Sequence, residues 1–225
     1  ALAAGGAACR EAEACAALAH AGLPAAWIGR PPRDPAEAGA PPDHPLVAGL
    51  SRAVRAAPPG LPWRERPIAL AALEDATDAR SQAWSRMAEA MAPVALVLRR
   101  PAGPEAHLPH EAELRRWIYA RSQVVLHLHA ATPRAVGAEA AAEAADARAV
   151  LLAEPSPPHP WLRAGAHYAE SSARRMPARL AELAADPEGS VRMASALADA
   201  QRLAFEPERL GLELVLALLG PERAA

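Results

Sequence analysis

The strongest constraint on the fold is a strand–helix–strand pattern between Ser122 and Ser156. An apolar run over 123–128 is followed by a turn at Pro133, an alanine-rich helical stretch and a second apolar run over 149–153. About 30 residues is the length of one βαβ unit, in which the strands run parallel. Their carboxyl ends meet at one edge of the sheet, where open α/β folds bind ligands. Function is therefore expected at the residues that fall there, which are His127, His129, Glu154 and Ser156.

The surrounding sequence extends this unit into a larger sheet. Short apolar runs at 67–73 and 94–98 predict two further strands, and like the runs at 123–128 and 149–153 they lack polar alternation. Such strands are typical of a parallel sheet covered on both faces. The predicted fold is α/β, a Rossmann-like parallel sheet flanked by helices with a helical C-terminus, over residues 61–225. Other predicted elements are helices at 79–91, 111–120, 176–185, 187–204 and 207–219 and an edge strand at 167–169.

The first 60 residues are expected to form a reduced N-terminal region. Strong helix formers predict a helix over 7–21, ended by Gly22. A short strand is expected within 23–29. The stretch from 30 to 45 contains so many prolines that it is expected to be an extended linker or surface loop, and a short helix is expected over 46–56.

Composition restricts the function classes. The 225 residues carry a formal net charge of −2 and their basic residues are dispersed, so no nucleic acid partner is expected. No run approaches about 18 apolar residues, so no membrane span is predicted. All basic residues are Arg and Asn is absent, which indicates the codon bias of a bacterium with a GC-rich genome. The first residues lack a signal-peptide pattern, and Cys9 and Cys15 point to different helix faces, so the expected compartment is the cytoplasm.

Four stretches in order resemble the C-terminal, nucleotide-sugar-binding half of GT-B glycosyltransferases, in the bacterial branch with CgeB-like C-terminal domains. They are ERPIALAALEDATDARSQAWSRMA, ARSQVVLHLH, EAADARAVLLAEPS, and WLRAGAHYAE followed by MPARLAELAADPEGSVRMA. The resemblance covers the segment from about Arg66 to Ala204, and it implies a transferase that moves a sugar from a nucleotide-sugar donor to an unknown acceptor. The donor is a substrate, and no cofactor is implied.

The resemblance also implies roles for individual residues. Glu143 and His129 are the expected catalytic residues, and Glu154 is expected to bind sugar or ribose hydroxyls of the donor. The remaining expected donor-binding residues are Pro155, Ser156, Arg134 and Arg99. Because His127 and His129 share a strand face, a metal completed by His107, His110, His159 or His167 is an alternative, but no acidic or Cys ligand has a telling spacing, so none is expected.

The chain departs from the family pattern at several places. His127 stands where the family has Asn, Ala140 where a basic residue is common, and Arg148 where a glycine ends the helix. The strand at 67–73 is followed by Glu74 and Asp75 rather than by a glycine-rich phosphate loop. The second hypothesis is therefore a glycosyltransferase-like domain without catalysis, which serves as a binding or assembly module through its alanine-rich helices.

Overall fold

A computed structural model describes ten stretches of the chain. They are 7–9, 25–27, 33–39, 44–75, 86, 88, 95–100, 109–128, 138–157 and 161–204. The helices predicted at 79–91 and 207–219 lie outside these residues except for Arg86 and Ala88, which are helical.

The N-terminal region begins with strand β1 (Ala7–Cys9), which pairs in parallel with β2 (Ala25–Trp27). The strand predicted within 23–29 is confirmed. The helix predicted over 7–21 is wrong at residues 7–9, and residues 10–21 lie outside the described part. Alanine-rich sequence favours a helix by intrinsic propensity, but pairing with a distant strand overrides that weak preference.

The proline-rich stretch forms local structure that contacts the main domain. Asp34 accepts a hydrogen bond from the Ala36 N–H at 2.8 Å and begins a 3-10 turn, Pro35–Ala38. The Arg33 N–H donates to Asp146 Oδ1 at 2.9 Å, which ties this stretch to a residue far along the chain. The single helix expected over 46–56 is split into α1 (Pro45–Ala48) and α2 (Arg52–Ala56). The split falls at Ser51, because its hydroxyl caps the second helix through the Val54 N–H at 3.3 Å.

Five parallel strands form the main sheet, in the order β4-β3-β5-β6-β7. The strands are β3 (Ile68–Asp75), β4 (Ala95–Arg100), β5 (Ser122–His127), β6 (Val150–Ala153) and β7 (Ala169–Glu170). The helices are α3 (Pro109–Tyr119), α4 (Ala138–Ala147), α5 (Met176–Ala185) and α6 (Pro187–Ala204). The predicted α/β fold with a Rossmann-like parallel sheet is confirmed.

Both faces of the sheet are covered, as the continuous apolar strands predicted. On one face, Val125 and Leu151 pack in a cluster with Trp117 of α3 and alanines of α4. On the other face, Val124 and Leu152 pack in a cluster with Met176 of α5. Val47 of α1 and Val54 of α2 belong to the first cluster, so the segment before residue 60 contributes to the core of the sheet domain. A domain boundary near residue 60 stays a prediction.

The last predicted strand is displaced along the chain. It was expected at 167–169, but β7 covers Ala169–Glu170 and His167 lies in a turn. The turn is closed by the Gly165 N–H, which donates to the Tyr168 carbonyl at 2.8 Å, while Gly165 has a φ of +80°. A left-handed backbone at Gly165 favours glycine, and the turn that it begins, over 165–167, ends shortly before β7.

Candidate functional site

The strand order indicates a candidate ligand crevice at the carboxyl ends of β3 and β5. Along the sheet, β4 lies on one side of β3 and the later strands β5, β6 and β7 follow on the other, so the winding direction reverses between β3 and β5. In open parallel sheets, ligands bind outside the carboxyl ends of the strands at such a reversal. Asp75 ends β3 and His127 ends β5, and Ala153 ends the next strand, β6.

Glu154 follows β6 directly and is buried, with only 3% of its surface exposed. It already has an interaction within the protein. Burying a carboxylate costs free energy unless it is paired or hydrogen-bonded. Glu154 therefore depends on neighbouring groups that stabilise its charge. Glu154 is thus a carboxylate held in a fixed place at the edge where the sequence predicted it.

Ser156 carries an unsatisfied hydroxyl beside that carboxylate. Its Oγ is shielded from solvent, and no hydrogen-bond partner for it exists among the described residues. Pro155 between the two is exposed. Buried polar atoms without a partner are rare in folded proteins, and each lost hydrogen bond costs about 1–3 kcal/mol. The Ser156 hydroxyl is therefore an unsatisfied polar group at this edge of the sheet.

Glu143 of α4 faces the neighbouring helix α3. Its Oε1 lies 3.1 Å from Nη2 of Arg115, and both side chains are largely shielded from water. The pair joins α3 to α4, the helix that connects β5 to β6. The structure therefore gives Glu143 a local structural role, and its predicted catalytic role stays a prediction.

The remaining predicted site residues are not brought together with Glu154 and Ser156 by the described part of the structure. His129 and Arg134 lie outside the described residues. Arg99 is the penultimate residue of β4 and lies in register with Glu74 of β3. His127 ends β5 at the crevice, half-buried and with an interaction of its own.

The structure adds residues that the sequence did not single out. Glu170 of β7 is in register with Ala153, and the Ser171 N–H donates to the Ala153 carbonyl at 3.0 Å. The segment that begins at Ser171 therefore enters the same edge next to Glu154. The sequence shows polar residues at the end of a short strand, Glu170 and Ser171. Only the pairing of that strand, β7, with β6 places them at this edge.

The opposite edge of the sheet is occupied by a structural arginine network. Arg66 donates from Nη1 to the Ser122 carbonyl at 2.8 Å, and Arg121 donates from Nε to the Ala57 carbonyl at 2.9 Å. Arg121 also lies over the Trp117 ring at 4.0 Å from its centroid. Burial lowers the pKa of both guanidinium groups to about 10, and Arg148 contributes to the lowering for Arg66. These charges hold the amino ends of the strands together and are not directed at the crevice.

No metal centre is formed within the part of the chain that the structure describes, where no three His, Cys, Asp or Glu side chains come together. His167, one of the possible ligands, accepts the Arg163 N–H on its Nδ1 at 3.0 Å. Burial and the nearby Arg163 lower the pKa of His167, so its neutral form is favoured. Over the same residues, no helix is long and apolar enough to cross a membrane.

Comparisons with solved structures identify the fold. The chain superposes on HepE of Anabaena in complex with UDP-glucose with a TM-score of 0.51 and 10% sequence identity. The match covers 68% of this chain and 49% of HepE. The chain also superposes on sucrose-phosphate synthase of Thermosynechococcus elongatus with a TM-score of 0.53 and 13% sequence identity. The match covers 89% of this chain and 53% of the synthase. A C-terminal domain of a group 1 family glycosyl transferase, LpcC of Francisella tularensis, matches at 12% identity over 64% of this chain and 91% of its own, with a TM-score of 0.42.

These likenesses confirm the predicted GT-B resemblance at the level of the fold. The chain spans about half the length of HepE and of sucrose-phosphate synthase. No protein-family model matches the sequence, and no curated protein matches it.

Proposed function

We propose that the chain binds a nucleotide-sugar at the carboxyl edge of its sheet and transfers the sugar to an acceptor. The observation that carries the proposal is Glu154, a carboxylate with 3% exposure that directly follows a central strand. The shared fold with HepE, which was solved with UDP-glucose, supports the choice of ligand class. A cytoplasmic location, where nucleotide-sugars would be supplied, belongs to the same proposal.

Each residue of the site has a defined task in this proposal. Glu154 accepts hydrogen bonds from a vicinal diol of the donor, because an ionised carboxylate forms strong charge-assisted bonds to hydroxyls. Ser156 donates its unpartnered hydroxyl to a donor oxygen, and Pro155 keeps the two residues apart in a fixed backbone conformation. Further proposed contacts are Arg99, Arg134 and the two proposed catalytic residues, His129 and Glu143.

The chemistry of such a site is positioning and electrostatic stabilisation. Sugar transfer releases a nucleoside diphosphate, so negative charge grows on the leaving group as its bond to the sugar breaks. Fixed donors and cations near that charge lower the barrier, and holding donor and acceptor in contact lowers it further. In this proposal the Ser156 hydroxyl is one such fixed donor, whereas Glu154 contributes by positioning the donor through its hydroxyls.

A binding experiment tests the donor site. At a ligand concentration of about 100 times Kd, a folded-state ligand adds about 2.7 kcal/mol of stability, which raises the melting temperature by roughly 5–10 °C for a chain of this size. We expect this shift with at least one of UDP-, GDP- or dTDP-linked sugars. Glu154→Gln should lose most of the shift, because the amide is a weaker acceptor and brings its own donor.

Glu182→Gln is the matched control for that experiment. Glu182 is exposed on α5, and among the residues that the structure describes it pairs with Arg179 one turn away, at 2.7 Å. The Glu182→Gln variant has the same change of charge and shape as Glu154→Gln, and it should keep the full ligand-dependent shift of the melting temperature. A shift that survives Glu154→Gln unchanged, or no shift with any donor at millimolar concentration, would refute the proposed site.

The end of β3 favours a second candidate, a domain that binds without transferring. Glu74 and Asp75 are the last two residues of β3, so the sequence at this strand end has acidic residues in place of a glycine-rich phosphate loop. The observation that separates the candidates is turnover. A non-catalytic module would bind a donor without releasing sugar from it in the presence of any acceptor, whereas the transferase would release nucleoside diphosphate.

A further inference from the structure

Arg66 is a cation buried at the amino edge of the sheet, with 6% of its surface exposed. Its Nε donates to the Leu61 carbonyl at 3.1 Å and its Nη1 to the Ser122 carbonyl at 2.8 Å. Among the residues that the structure describes, no carboxylate pairs with this guanidinium, and its Nη2 makes no hydrogen bond. Buried charges are normally paired, so the charge of Arg66 is only partly compensated.

A second cation, Arg148, lies close to Arg66 at this edge. Val150, two residues after Arg148, pairs with Val124, two residues after Ser122, so Arg148 precedes β6 where Arg66 binds the start of β5. Burial lowers the pKa of Arg66 to about 10, and the nearby charge of Arg148 adds to the lowering. Arg148 is exposed and forms no ion pair with any described residue. Two like charges thus lie together without a counterion from the described part of the chain.

Arg121 shows how the same edge compensates another buried arginine. It is 2% exposed and donates to the carbonyls of Ala57 and Trp117, each at 2.9 Å. Its guanidinium also lies over the Trp117 ring, whose face attracts a cation. Arg66 has comparable bonds to carbonyls, but its charged neighbour among the described residues is a second cation.

The backbone of Arg148 is an independent sign that its side chain is used. Its φ of +49° lies in the left-handed region, which costs a residue with a Cβ free energy. Glycine adopts this conformation without that cost, and glycine stands at this position in the family pattern that the sequence resembles. Residues held in such conformations cluster at functional sites. The chain therefore has an arginine beside Arg66 at a position that the backbone alone would give to glycine.

We propose that Arg66 and Arg148 bind a small phosphate group at the amino edge of the sheet, in a site separate from the proposed donor site at the carboxyl edge. Guanidinium groups bind phosphate oxygens through paired N–H donors, and the Nη2 of Arg66 and the side chain of Arg148 supply such donors. Because Arg66 is so little exposed, the site admits inorganic phosphate or a terminal phosphate group rather than the bridged diphosphate of a nucleotide-sugar. The bound anion compensates both cations.

Calorimetric titration of the full chain with inorganic phosphate, in HEPES buffer at low ionic strength, tests this site. We expect Arg148→Ala to weaken phosphate binding by about tenfold or more, since hydrogen bonds from charged groups are strong. Arg148→Lys should lose less, because it keeps the charge but not the planar pair of donors. Since Arg148 is exposed, both variants should keep the circular dichroism spectrum of the wild type.

Glycerol phosphate, titrated in parallel, distinguishes the two sources of the phosphate group. Tighter binding of the ester than of inorganic phosphate assigns the site to a small phosphate monoester, and the reverse assigns it to free phosphate. In either case Arg148→Ala should weaken the tighter probe.

Arg174→Ala is the matched control. Arg174 is exposed and follows β7, whose end lies at the carboxyl edge, so this variant loses the same charge at the other edge of the sheet. It should bind phosphate as the wild type does.

Three results would overturn the site. They are equal phosphate affinity in the wild type and Arg148→Ala, an equal loss in Arg174→Ala, and no binding of either probe at millimolar concentration. None of them affects the donor proposal, which depends on a nucleotide-sugar and on Glu154→Gln at the carboxyl edge.

Discussion

At the scale of the residue, Arg148 shows the physical meaning of a departure from the family pattern. It has a φ of +49°, and it is the one non-glycine residue with positive φ among the described residues. The Ala149 N–H donates to the Ala144 carbonyl and the Arg148 N–H to the Ala145 carbonyl, each at 3.0 Å, which is the Schellman ending of α4. The family glycine at this position matches that left-handed backbone, and Arg148 adopts it at a cost in free energy.

Replacing Arg148 with glycine should therefore stabilise the chain. Left-handed backbone costs a non-glycine residue about 1–2 kcal/mol, partly offset by the greater freedom of glycine in the unfolded chain. The change also removes the charge that lowers the pKa of the buried Arg66. We expect Arg148→Gly to raise the free energy of unfolding by about 1 kcal/mol in urea titrations.

Arg148→Ala is the control for the backbone effect. It removes the charge and the long side chain but keeps a Cβ in the left-handed conformation. The glycine variant should be more stable than the alanine variant. Equal stability of the two would show that the backbone conformation carries no cost and that charge alone acts.

At the scale of the element, the ion pair between Arg115 of α3 and Glu143 of α4 links the helices on one face of the sheet. The two charged atoms are 3.1 Å apart and largely shielded from solvent. Removing either partner leaves the other charge poorly solvated, so single variants lose more stability than the pair contributes. The ion pair therefore places Glu143, which the sequence predicts to be catalytic, in a contact between two helices.

A double-mutant cycle measures that contact. We expect Arg115→Gln and Glu143→Gln each to lower the free energy of unfolding by about 1–3 kcal/mol, with a coupling of about 1 kcal/mol between them. The donor-induced thermal shift then tests the proposed role of Glu143 in the same proteins. If Glu143→Gln lowers donor affinity and Arg115→Gln does not, Glu143 contacts the donor. If neither does, its role is confined to the helix pair.

The elements that sequence could predict are those with local signals. Helices α5 and α6 were placed correctly because Pro177, Asp186 and Pro187 mark their starts and apolar residues repeat at helical spacing. Glu154 and Ser156 were placed correctly because they follow a strongly apolar strand. The strand Ala7–Cys9 was missed because its partner is distant in sequence.

At the scale of the whole molecule, the sheet separates two edges with different chemistry. At the amino edge, Arg66 and Arg121 are buried, and each donates two hydrogen bonds to backbone carbonyls. At the carboxyl edge, the buried carboxylate of Glu154 and the unsatisfied hydroxyl of Ser156 follow the end of β6. The first edge is held by hydrogen bonds within the fold, and the second has a polar atom whose hydrogen bond is not made within the described residues.

Hydrogen–deuterium exchange of the full chain, with and without the nucleotide-sugar that gives the largest thermal shift, tests the central claim most directly. The account predicts slower exchange on ligand addition at the backbone N–H groups of Glu154, Ser156 and residues 170–172, which lie at the ends of β6 and β7. Exchange at 57–66 and 120–122, at the amino edge, should not change. Protection confined to the amino edge, or no protection at the ends of β6 and β7 with a ligand that binds, would contradict the account.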